Sequence, residues 1–317
     1  VASKEIQSRV DRIEALADSD PDLRAQALVE ARTAAADPVR EVRAAAAGAI
    51  AATAEPNEAL LRLGRLAADE DVGVRYAAVA AIAGLPWRGR LDLLARALDD
   101  DDLGIVAVAA DGLSYVNDRR ALPALELLLN EKRTQFGALE GLYALRDEGV
   151  LPLARQLFTG FLTPIFNKVA AALIVARSGE APAMEFLLRG AQKRFAAERG
   201  FILSHLIDFP SAQGRQILET VAHTPTDDQR ESALLALTRS DPARWWPEAE
   251  AAIDSAIPEE APGAGEVLLT LADIDWRRAK AVAEKYRTRE DPIGLAARHV
   301  RLQASLMDAF PDEVHLR

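Results

Sequence analysis

Apolar residues recur along this chain at the helical spacing i, i+3, i+4, i+7. In the segment 74–82, Val74, Ala77, Ala78, Ala81 and Ile82 share one face, while Tyr76 and Ala80 point elsewhere. The same spacing returns in 58–69, 90–100, 121–130, 134–145, 165–176, 214–223 and 229–238. Short turns divide these segments, for example Asp37-Pro38, Asp241-Pro242 and Asp291-Pro292. Aspartate there caps free N–H groups and proline suits a first helical turn. The pattern predicts one helix over about 4–17 and then about nine helix pairs.

The pattern is also a repeat. DSDPDLRAQALVEA at 18–31, DPVREVRAAAAGAI at 37–50 and DEDVGVRYAAVAAI at 69–82 align, each with an Asp six residues before an Arg. DDDDLGIVAVAADGL at 99–113 keeps the acidic turn and loses the Arg. Later units keep only the apolar spacing. One hairpin of this kind cannot bury its own apolar face, so stacking must make the core.

The D-P-x-x-x-V-R-x-x-A-A run at 37–46 and its variants resemble HEAT repeats, and more closely the bacterial repeats called PBS-lyase HEAT-like. That resemblance implies an all-α fold, an α-α superhelix of armadillo type whose second helices line a concave binding face. It implies one solenoid over 1–317, with well-matched repeats at 18–116, degenerate Phe-rich repeats at 117–210, C-terminal repeats at 211–308 and a tail at 309–317. It also implies that Arg24, Arg43 and Arg75, with Asp18, Asp37 and Asp69, form a ladder holding repeats in register.

Composition narrows the function. Alanine dominates an apolar half of the chain and aromatics are few, which favours closely packed helices over sheet. The net charge is −11, with 18 basic and 26 acidic residues in 1–150 against 20 and 23 in 151–317. Phosphates repel such a chain, so neither nucleic acid nor an anionic membrane is expected as a generic partner. There is no cysteine, hence no disulfide and no thiolate chemistry. No apolar run is long enough for a membrane span. The charged N-terminal segment carries no signal peptide, so the chain reads as cytoplasmic, any targeting segment lying upstream of Val1.

No catalytic constellation emerges. His205, His223, His299 and His315 lack metal-ligand spacing, and the run Asp99–Asp102 lacks the glycine and closing Glu of a calcium loop. Ser114 and Ser204 have no assignable base. The chain therefore reads as a non-enzymatic scaffold or adaptor that binds another protein and needs no cofactor. The alternatives are a bilin lyase or chaperone-like subunit, suggested by the repeat family, and a HEAT-like DNA-base glycosylase, for which Trp87 and Trp276 would supply aromatics.

Eight of nine phenylalanines lie between 136 and 209. Carrying the helix phase of 74–82 through the later repeats places Tyr76, Phe136, Glu140, Tyr143, Asn167, Phe201 and His205 along the concave face. A second candidate is a basic patch formed by Arg277, Arg278, Lys280, Lys285, Arg287 and Arg289. A third is Trp245-Trp246, of which helical phase allows only one to face the core.

Overall fold

The computed structural model describes residues 2–18, 21–256 and 261–314. Its α-helices are α1 (Ala2–Glu14), α2 (Arg24–Ala34), α3 (Arg40–Thr53), α4 (Pro56–Leu66), α5 (Val72–Gly84), α6 (Arg90–Ala97), α7 (Leu103–Ser114), α8 (Leu122–Leu128) and α9 (Gln135–Ala144). They continue as α10 (Leu151–Thr159), α11 (Ile165–Arg177), α12 (Ala181–Ala191), α13 (Arg199–Leu206), α14 (Ala212–Ala222), α15 (Arg230–Ser240), α16 (Pro242–Ser255), α17 (Ala261–Ala283) and α18 (Pro292–Ala309). Asp275 breaks α17 with non-helical φ and ψ, and its carboxylate caps the second half by accepting from the Arg277 and Arg278 amides at 3.1 Å. The protein is all-α, its helices packed in pairs as a HEAT-like solenoid.

Small side chains set the spacing. Helix α3 buries Val42, Ala46, Ala47, Ala49, Ile50 and Ala52, so α5 can approach closely. From α3 to α15 the odd-numbered helices form an inner layer, and the even-numbered ones pack outside them.

The turns entering the inner helices carry the ladder. Arg43 makes a bidentate pair with Asp69 of the next repeat, both bonds 2.8 Å, and also donates to the Asp37 and Pro38 carbonyls. Arg75 repeats this with Asp100 and the carbonyls of Asp69 and Glu70. Asp37 receives Arg9. The side chain of Asp18 lies outside the described residues. The Phe-rich stretch, whose sequence lacks the signature, resumes the ladder at its end. Arg199 is buried and pairs with Asp227 at 2.6 Å; Arg119 and Asp147, 3.2 Å apart, instead link the turns that enter the outer helices α8 and α10. Within the acidic run, Asp100 is a ladder residue and Asp102 caps α7 through the Gly104 and Ile105 amides.

The array closes on itself. Helix α18 packs against α3 and the short 3-10 segment Ala15–Asp18. Gln303 reaches the Ala51 carbonyl at 3.5 Å. Beyond α18 the chain runs along the α5–α6 turn, where Val314 bridges Trp87 and the Arg88 amide donates to the Glu313 carbonyl at 3.1 Å.

One expectation is corrected here. Trp245 and Trp246 are both fully buried, because α16 is covered on more than one side. Arg244 covers the Trp245 ring at 4.8 Å and Arg278 covers Trp246 at 4.4 Å.

Candidate functional site

The inner ends of α9, α11 and α13 bring the predicted aromatics together. The Phe136 ring meets Phe166 edge-on at 5.7 Å and Phe201 at 5.2 Å. Phe201 lies 4.5 Å from the His205 ring, which in turn meets Tyr143 edge-on at 5.6 Å. Such tilted and edge-on rings are favourable beyond the area they bury. Phe166, missed by the phase argument, is 37% exposed and forms the open end of this stripe. Its signal was its place one residue before Asn167 within the Phe-rich stretch.

Phase misplaced two residues. Tyr143 and Asn167 were expected on the open groove, yet both are 6% exposed. The Tyr143 hydroxyl donates to Asp208 at 2.8 Å, and the Arg177 guanidinium lies 3.5 Å above its ring. Asn167 donates to the Gln135 side chain at 2.5 Å. Asn167 therefore ties α11 to α9, and Tyr143 ties α9 to the turn after α13, beneath the stripe. Tyr76 stands apart on α5 and is exposed.

Electrostatics single out Glu140, one turn beyond Phe136. Burial, reinforced by the Asp111 carboxylate, pushes its carboxyl up to about 7. Near neutral pH it can therefore donate or accept a hydrogen bond. Burial also lowers the His205 pKa, keeping the ring neutral, and holds the Tyr143 phenol well above its ordinary value.

Ser204 Oγ lies 3.1 Å from His205 Nδ1, a neighbour the sequence did not assign to it. Both atoms, however, sit on the same Phe201 carbonyl, at 2.9 Å each, and the Asp208 carboxylate is taken by Tyr143. That is local helix bonding, not a nucleophile held by an oriented base. Among the described residues no group of three or more His, Asp or Glu could hold a metal ion.

The basic patch is largely neutralised. Lys280 pairs with Asp308, Lys285 with Glu250, Arg287 with Glu284 and Arg289 with Asp291. Arg277 and Arg278 lie over Trp276 and Trp246. Trp87 and Trp276 are buried and line no groove. A second concavity, absent from sequence reasoning, lies at the closure. It is a cavity of about 420 Å³ lined by Gly48, Ala51 and Gly84 of the first repeats and by Leu269, His299 and Met307 of the last.

No family model matches the sequence, and neither does any curated protein. Solved structures do. The chain is similar to the complex of CpcE and CpcF of phycocyanin lyase from a Nostoc species, with TM-score 0.53 and 18% identity, covering 78% of this chain and 94% of that one. Human deoxyhypusine hydroxylase gives TM-score 0.37 and 18% identity over 79% of this chain and 96% of that one. The karyopherin Kap121p bound to the C-terminus of the phosphatase Cdc14p gives 0.38 and 11%, over 92% of this chain and 39% of that one. The likeness to the CpcE–CpcF complex supports the HEAT-like fold. No helix among the described residues is long and apolar enough to cross a membrane.

Proposed function

We infer that this chain is a non-enzymatic scaffold that holds another protein on its inner face, over Tyr76, Phe136, Glu140, Phe166, Phe201 and His205. One observation carries the reading. The inner face presents a continuous run of aromatic rings beside a carboxyl poised near 7. Aromatic anchors at the centre of a groove are the side chains from which binding energy is drawn. Tyr143 and Asn167 support the stripe from below.

The test is a pull-down comparing wild type with a Tyr76→Ser, Phe166→Ser, Glu140→Gln variant. Two of these positions are exposed, so the fold should survive, and circular dichroism checks that. A partner retained equally by both proteins would remove the inner face as the site.

A second reading follows from the fold likeness to the CpcE–CpcF complex. The chain would be one member of a two-chain assembly acting on a bilin-carrying protein. An absorbance change on mixing the chain with bilin and apoprotein would support it. The glycosylase alternative is not carried forward, because its tryptophans are buried.

A further inference from the structure

The turns leading from outer to inner helices all lie along one edge of the array, and the charge of that edge changes sign. Early turns are acidic: Asp69, Glu70 and Asp71 before α5, then Asp99–Asp102 before α7. The next three turns differ. The turn before α9 exposes Lys132 and Arg133, the turn before α11 exposes Phe161 and Leu162, and the turn before α13 exposes Lys193, Arg194 and Phe195. Asp227 and Asp228 then restore the acidic character before α15. Two acids lie within the basic stretch, Glu131 and Glu198.

The apolar residues project fully. Phe161 is 96% exposed, Leu162 89% and Phe195 79%. Their turns are built to hold them out. A Cβ on Gly160 would come within 2.5 Å of the Thr163 hydroxyl, so a larger residue there would push the Thr163 side chain aside, and Lys168 braces the turn through the Gly160 carbonyl at 3.2 Å. Phe195 sits at φ 65°, a left-handed conformation costly for a bulky residue. Arg194 braces that turn on the Thr226 carbonyl at 2.7 Å.

We propose that this edge docks on the surface of an anionic lipid bilayer, with Phe161, Leu162 and Phe195 inserted among the acyl chains and Lys132, Arg133, Lys193 and Arg194 at the headgroups. Protruding tips suit a soft, flat receiver, whereas protein interfaces form by burying a complementary patch. The basic residues point the same way. The chain has only six lysines, and Lys132 and Lys193 are two of them. Lysine is depleted at protein interfaces but extends readily to lipid headgroups. Cationic flanks favour an anionic leaflet within a Debye length, which also limits repulsion from the neighbouring acidic turns. This proposal is independent of the inner-face reading, since it uses none of those residues.

The test is co-sedimentation with phosphatidylcholine vesicles, with and without 30 mol% (roughly one lipid in three) phosphatidylglycerol. Wild type should bind the anionic vesicles. A Phe161→Ser, Leu162→Ser, Phe195→Ser variant should bind roughly tenfold more weakly or not at all. Lys132→Glu with Lys193→Glu should weaken binding and flatten its salt dependence. Phe195→Gly separates strain from contact, because it should keep or raise the Tm while weakening vesicle binding. A dye on Leu162→Cys, unique in a cysteine-free chain, should shift to the blue on anionic vesicles, and one on Asp101→Cys should not. Absence of wild-type binding, or equal binding by the triple serine variant, would overturn the proposal. So would preference for a single-stranded oligonucleotide, or self-association that the serine variant abolishes without any vesicle binding.

Discussion

Val314 pairs with Trp87 in an antiparallel bridge, so the end of the described chain is fastened to the turn between α5 and α6. Trp87 is fully buried. Truncation after Ala309 should uncover its indole, shift tryptophan emission to the red and cost roughly 1–3 kcal/mol. Limited proteolysis should then reach α18 sooner. Unchanged emission and cleavage would show the bridge to be incidental.

The ladder makes a sharper demand. Arg43 and Asp69 are each 13% exposed at the side chain, and the arginine also serves two carbonyls. Arg43→Lys keeps the charge but loses the planar fork. It should lose about 1.5–3 kcal/mol in urea unfolding, nearly as much as Arg43→Ala. A lysine variant as stable as wild type would mean that charge alone holds the register.

The same ladder governs acid stability. Hydrogen bonds from Arg43 and Arg75 hold the Asp69 and Asp100 carboxyls below the usual range. A depressed folded pKa gives stability that is complete above the unfolded value, about 4. That stability is lost as pH falls through the lower folded value. Asp69→Asn should therefore flatten the stability curve as the pH falls below about 4. An unchanged slope would place the acid sensitivity elsewhere.

Glu140 acts in the opposite sense. Its folded pKa of about 7 lies above the unfolded one, so the folded state holds the proton more tightly. Its contribution is complete below about pH 4 and declines until the pH passes the folded value. Glu140→Gln should raise the Tm at pH 8 by about 2–4 °C and leave it nearly unchanged at pH 4. An equal shift at both values would rule out titration as the cause.

Burial separates two aromatic classes. Trp246→Ala should cost about 3–5 kcal/mol, because the ring is wholly enclosed. Phe166→Ser should cost far less, since that ring is partly exposed. Chemical denaturation of the two variants side by side checks the contrast.

The helices, their pairing and the ladder of Arg43 and Arg75 were legible because each depends on spacing within one or two repeats. Three things were not. A phase argument gives each helix one buried face, and so failed for α16, where both tryptophans are enclosed. A shift of one residue separates groove from core, which moved Tyr143 and Asn167 beneath the stripe. Closure depends on contacts between distant parts of the chain, such as Gln303 with Ala51. Its only local trace is the breadth of the apolar surface on α18, which buries Ile293, Ala296, Ala297, Val300, Leu302 and Leu306.

That closure changes what kind of object a partner would meet. An open superhelix behaves as a spring, lengthening or tightening to suit cargo of different girth. Here the last pair is clasped to the first repeats, so the inner rim has a set circumference and strain in one repeat is shared with both ends. A protein held on the inner face, as proposed, would have to match that rim or unfasten the clasp.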